Sequence, residues 1–231
     1  MVMLRLMIAP VSTMALPLAE ALEFKNTAKT LHADETQLPK PVTHGQRIDA
    51  KLDKRALIHA LQKGGYVLYF RHAITDRSQI DADRINLHNC ATQRNLTEAG
   101  RKQAQVIGKA MQALGIAVAE VLTSPYCRCI ETAKLAFGKF TVSADLVWTL
   151  GQPEAETRRL AEALRQFLKT RPPKGENTVL VSHTANLKEA IGVWPEPEGA
   201  VYVFQPREDG AVSHLGNIAP EEWTALIQRE E

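Results

Sequence analysis

Three short, largely apolar runs, each followed closely by an arginine or a histidine, constrain this chain most. They are Tyr66-Val67-Leu68-Tyr69-Phe70, residues 118–123, and Thr178-Val179-Leu180-Val181-Ser182. Runs of this length bounded by turn signals read as buried strands. Segments with helical period lie around them. Residues 52–63 carry Leu57, Ile58 and Leu61 on one face and stop at Gly64-Gly65. Thr97 caps a helix to about residue 114, with Ala104, Ile107, Met111 and Leu114 as its stripe. Further helices are predicted from about residue 126 to 137, over 154–170, directly after His183, and after Pro220. Residues 201–204 read as a last strand. Strands alternating with helices predict an α/β fold, a three-layer sandwich with a mostly parallel central sheet and helices on both faces. Such sheets bind ligands at the carboxyl ends of their strands, where helix N-termini favour anions.

The chain has 231 residues, enough for one domain, expected over 52–231, and an amino-terminal extension. Apolar content of 45% and charged content of 23% suit a water-soluble fold, and a net charge of +2 gives no basic face for nucleic acid. Residues 1–21 run from Arg5 through an apolar stretch, interrupted by Pro10 and Pro17, to Ala19-Glu20-Ala21. That order fits a cleaved secretory signal and a periplasmic or secreted protein; a cytosolic tail is the alternative. Residues 22–51 read as a flexible leader. No later run reaches the ~20 apolar residues of a membrane span. Of Cys90, Cys127 and Cys129, the last two are too close in sequence for an easy bridge. A disulfide would join Cys90 to one of them, and buried free thiols are the alternative.

Arg71 and His72 follow the first apolar run, Arg128 opens the helix after the second, and His183 follows the third. Phosphoryl transfer needs these types. Guanidinium forks match the oxygens of a phosphate monoester, and an imidazole can attack phosphorus in line. Arg71 and Arg128 would clamp the anion and keep His72 neutral and nucleophilic, and His183 would donate to a phosphate oxygen. Water would then attack the phosphohistidine.

The segments carrying these residues resemble the histidine phosphatase (phosphoglycerate mutase-like) superfamily. Phe70-Arg71-His72-Ala73-Ile74-Thr75 is similar to its arginine-histidine signature, with Ala73 where glycine is usual. Residues 96–104, Thr123-Ser124-Pro125-Tyr126-Cys127-Arg128, and Val179-Leu180-Val181-Ser182-His183 resemble its helix-opening, second-arginine and second-histidine segments. The resemblance implies a phosphomonoesterase with His72, Arg71, Arg128 and His183 as catalytic residues, and no metal or other cofactor. Thr75, Arg94 and Asp76 are candidate substrate-binding residues. The partner expected is a small phosphorylated substrate or a phosphoprotein, and relatives of this size include phosphohistidine protein phosphatases and phosphatases of lipopolysaccharide core sugars. A mutase, or a non-catalytic phosphate-binding module on the same fold, stands as the alternative. The family's proton donor is an acid after the second arginine or an aspartate after the second histidine. Thr184 excludes the second arrangement, leaving Glu154, Glu156, Glu198 and Asp76 as candidates.

Other phosphatase chemistries fit poorly. Asp81-Ala82-Asp83 sits in a polar loop rather than after an apolar run, and no cysteine has an arginine six residues on. Phosphate-loop and dinucleotide fingerprints are missing, and so is metal-ligand spacing of His, Cys and Asp. The loop from Ser78 to Asn95, with Asp81, Asp83, Arg84, His88, Gln93 and Arg94, either selects the substrate or is simply solvated.

Overall fold

The first apolar run forms β1 (Val67–Arg71), and side-chain alternation along it divides the core in two. Leu68 and Phe70 face one layer, Val67 and Tyr69 the other, and all four are fully buried. A computed structural model describes residues 51–228. The expected secretory signal over 1–21 and all but the last residue of the 22–51 leader lie outside that range.

The elements follow in the order α1 (Lys54–Lys63), β1, α2 (Glu98–Ala113), β2 (Val118–Thr123), α3 (Cys127–Phe137), β3 (Thr141–Val142), α4 (Glu154–Lys169), β4 (Asn177–Ser182), α5 (Thr184–Ile191), β5 (Val201–Pro206), β6 (Val212–Ile218) and α6 (Glu222–Gln228). The sheet runs β3-β2-β4-β1-β5-β6. Neighbours from β3 to β1 are parallel, while β5 and β6 add an antiparallel hairpin at the other margin. The layered α/β expectation thus holds. Leu57, Ile58 and Leu61 of α1, Ile107 and Met111 of α2, Ala133 of α3 and Trp223 of α6 pack with Leu68, Phe70, Val179 and Val181. Leu164 and Leu168 of α4 and Leu187 of α5 pack with Val67, Tyr69 and Leu180 on the opposite face.

Local signals set the helix boundaries. The Asp53 side chain accepts from Ala56 N at the start of α1, and Gly64 at φ 74° ends it. Thr97 Oγ1 accepts from Gly100 N at 2.9 Å to open α2. Gly100 and Gly108 are required by close approach. A Cβ on the first would lie 2.1 Å from Ile74 O, and on the second 2.0 Å from Ala136 O of α3. Two strands exceed the sequence expectation. β3 has only two residues, both exposed. β6 pairs with β5 across a turn closed by Arg207 N to Ala211 O at 2.9 Å, with Gly210 at φ 76°. The strand expected to end at residue 204 continues to Pro206 and is not the last.

Candidate active site

Main-chain bonds stitch the carboxyl ends of β1, β2 and β4 into one rim. His72 N donates to Ser182 O at 3.0 Å, Ser124 N to Val181 O at 2.9 Å, and Gly199 N to His72 O at 3.0 Å. Along this rim the structure brings together Arg71, His72, Arg94, Arg128 and His183. His72, Arg128 and His183 are at most 2% exposed, and the two imidazole centroids lie 5.5 Å apart.

His72 Nδ1 lies 2.9 Å from Ala73 O, an acceptor only, so Nδ1 carries the proton and Nε2 keeps its lone pair. Ala73 N in turn donates to Thr132 Oγ1 at 3.1 Å, and that hydroxyl donates to Arg128 O at 2.7 Å. The segment after β1 and the helix of Arg128 are thereby linked. His183 is the N-cap residue of α5. Its Nε2 is 2.8 Å from Ser124 Oγ and 3.6 Å from Cys129 Sγ, and its ring centroid lies 5.0 Å from that of Tyr126 and 6.0 Å from that of Trp148.

The field at this rim is positive. Burial first, then Arg128, holds both His72 and His183 well below the usual imidazole range, so both are neutral near pH 7. Burial pushes the Cys129 thiol up to about 12, so no thiolate competes as nucleophile there.

Each arginine is tethered. Arg71 Nη1 donates to Pro195 O at 2.9 Å, and its Nη2 is 3.6 Å from Glu198 Oε1. Arg94 Nη2 is 3.9 Å from the same oxygen. Arg128 Nη1 donates to Asp81 Oδ1 at 2.8 Å, and its Cζ lies 4.4 Å from the Tyr126 ring centroid. The buried Nε atoms of Arg71, Arg94 and Arg128 have no hydrogen-bond partner. Buried N–H groups are rarely left unpaired, so three such donors beside two neutral imidazoles suit an anion.

The remaining candidates fall elsewhere. Glu154 pairs with Arg158, and Glu156 with Arg159 at 2.8 Å, both pairs exposed on α4. None of these contacts reaches the imidazoles, and as candidate proton donors both acids are found paired with arginines of their own helix. Arginines three and four residues on hold them on the solvent face. Asp76 accepts from Ser78 N, Ser78 Oγ and Gln79 Nε2, shaping its own turn. Thr75 gives both its N–H and its hydroxyl to Glu198, at 3.2 and 2.8 Å. Glu198 is therefore at the cluster as a hub of acceptors. Sequence reasoning left Ser124, Tyr126 and Trp148 without roles, and gave Asp81 only a place in a loop that either selects the substrate or is solvated. Asp81 had no signal of its own, because its partner Arg128 lies 47 residues on.

The Cys90–Cys127 disulfide joins the loop before α2 to the first residue of α3, with Cα atoms 5.7 Å apart. Cys129 is free and buried.

Two solved structures with the same fold are the phosphoserine phosphatase of Entamoeba histolytica, a mutant in complex with phosphoserine, and the alpha-ribazole phosphatase of Shigella flexneri. The first is 15% identical at a TM-score of 0.51, covering 68% of this chain and 98% of that one. The second is 16% identical at a TM-score of 0.50, covering 67% and 96%. No curated protein sequence matches the chain. Residues 67–150 match the family model for the histidine phosphatase superfamily (branch 1), and these residues carry β1 and α3 with both clamp arginines and His72. Over those residues the chain is similar to the histidine phosphatase superfamily, branch 1.

Proposed function

We propose that the protein is a phosphomonoester hydrolase working through a phosphohistidine on His72. The observation that carries this reading is the pairing of a neutral imidazole, its proton fixed on Nδ1, with three guanidinium groups whose buried Nε atoms have no partner. A dianionic phosphate would bind between Arg71, Arg94 and Arg128. The Nε2 lone pair of His72 would attack phosphorus, the bond to the ester oxygen would break, and the arginines would stabilise the charge on the equatorial oxygens. His183 would steady a phosphate oxygen, and water would release the phosphate. The relatives named above act on small phosphorylated molecules, which favours a small monoester as substrate.

One observation favours a second reading, a phosphate-binding module without turnover. The two buried carboxylates at the rim, Asp81 and Glu198, both face guanidinium groups already, an arrangement that suits holding arginines more than giving up protons. Hydrolysis of p-nitrophenyl phosphate separates the two, because its leaving group needs little protonation and the assay reads nucleophile and clamp alone. The wild type should turn over with or without chelator, and His72→Ala should lose at least about a thousandfold. A wild type that binds phosphate yet hydrolyses no ester sinks the hydrolase reading.

A further inference from the structure

The tethers of the arginines decide which edge each turns toward an anion, because a guanidinium grips a tetrahedral oxyanion through two adjacent N–H groups. For Arg128 the tether is Asp81, and the two side chains are 1% and 5% exposed. Tied through Nη1 to Asp81, Arg128 keeps Nε free of any other bond.

Asp81 belongs to no helix or strand. It is carried by the long loop between β1 and α2, so something else must fix it. Its Oδ1 also accepts from Arg94 N at 3.0 Å, and Ala82 N donates to Thr92 O at 2.8 Å. Gln93 accepts from Cys127 N at 2.9 Å and donates to Leu87 O at 2.8 Å. One link in this set is covalent. The Cys90–Cys127 bridge spans 37 residues and binds the loop to the residue immediately before Arg128.

We propose that Asp81 is a positioning residue for Arg128 and that the Cys90–Cys127 bridge is the staple that keeps it in place, so that a dithiol reductant reversibly weakens anion binding at this site. The proposal rests on the reading of the cluster as a phosphate site. Cys90 is exposed, so a thiolate of the reductant can attack its Sγ. The S–S bond breaks, Cys127 leaves as a thiolate and takes a proton, and the reductant's second thiol displaces Cys90 from the mixed disulfide. Two electrons and two protons pass to the protein, and the reductant ends as a cyclic disulfide. Cys127 leaves at the first residue of α3, where the helix dipole favours a thiolate. The charges of Asp81 and the three arginines do not change in this reaction, so a change in affinity reports their geometry. If Asp81 instead occupied the anion's own place on Arg128, releasing it would strengthen binding, and the sign distinguishes the two roles.

The test is calorimetry of inorganic phosphate binding to the full chain, oxidised and after dithiothreitol, with near-ultraviolet circular dichroism as the check on folding. Cys90→Ser and Asp81→Ala are measured alongside. The reduced wild type, Cys90→Ser and Asp81→Ala should each bind phosphate about tenfold more weakly than the oxidised wild type. Reoxidation should restore the wild type, and Cys90→Ser should ignore the dithiol. Equal or tighter binding after reduction overturns the proposal, as does tighter binding by Asp81→Ala. Dithiol sensitivity that persists in Cys90→Ser overturns it too, since Cys129 would then carry the effect. If reduction collapses the fold, Asp81→Ala with its bridge intact decides alone. Phosphate binding needs no turnover, so a wild type that binds phosphate without hydrolysing esters fails the hydrolase reading and still tests the staple. An oxidised wild type that binds no phosphate overturns both.

Discussion

At the scale of single residues, Arg128 does most to set the chemistry of its neighbours. After burial it is the largest cause holding both imidazoles below their usual range. Proton NMR titration should find His72 and His183 titrating below about 6.5 in the wild type. In Arg128→Met both should move to higher pH, because the cation that disfavours their protonation is gone, and kcat/KM should fall at least about a hundredfold. Unchanged titrations would refute this account of the field. The residues of this cluster differ in how legible they are in the sequence. Arg71, His72 and His183 are readable because each lies at the end of an apolar run that forms a buried strand, and Arg128 because it opens the helix after β2, a strand whose first half is largely exposed. Glu198 is readable as an acid near the site, yet its contacts with Thr75, Arg71 and Arg94 depend on a fold that brings residues more than 100 positions apart together. Glu154 and Glu156 are ambiguous in the sequence because an acid in a first helical turn looks the same whether it faces a pocket or solvent. The arginines at positions 158 and 159 are the partners the structure gives them.

At the scale of elements, two glycines of α2 separate stability from function. Gly108 lets α2 lie against α3, and a methyl there would meet Ala136 O at 2.0 Å. Gly108→Ala should cost about 1–3 kcal/mol in urea unfolding, with turnover by the folded fraction little changed. A methyl at Gly100 would meet Ile74 O at 2.1 Å, two residues beyond His72. Gly100→Ala should lower kcat/KM as well as stability, because the backbone it displaces carries His72, the proposed nucleophile. Equal effects of the two substitutions on kcat/KM would contradict this division. Strands with an unbroken apolar run, β1 and β4, are plain in the sequence. β3 is not, since two exposed residues leave no pattern. β6 is obscured by polar residues alternating through an edge strand, although the Asp209-Gly210 pair at its turn is a hairpin signal.

At the scale of the whole molecule, buried neutral histidines link folding to acidity. His72, His183 and His214 are all held below the usual imidazole range, burial being the first cause for each. In the unfolded chain they protonate near 6.5, so below that pH the unfolded state binds more protons and the native state loses ground. Stability should therefore fall as pH drops from about 6.5 to 5, each histidine adding up to about 1.4 kcal/mol per pH unit. His214 stacks against Tyr202 and Phe204, away from the catalytic rim. His214→Phe should flatten the slope of urea stability against pH, and an unchanged slope would count against this linkage. The rim itself rests on something no side-chain substitution edits directly. The bonds from His72 N to Ser182 O, Ser124 N to Val181 O and Gly199 N to His72 O all join peptide groups. Seams sewn from the main chain are indifferent to the residues that flank them. The mouth can therefore be recut while the two rings stay at the same separation.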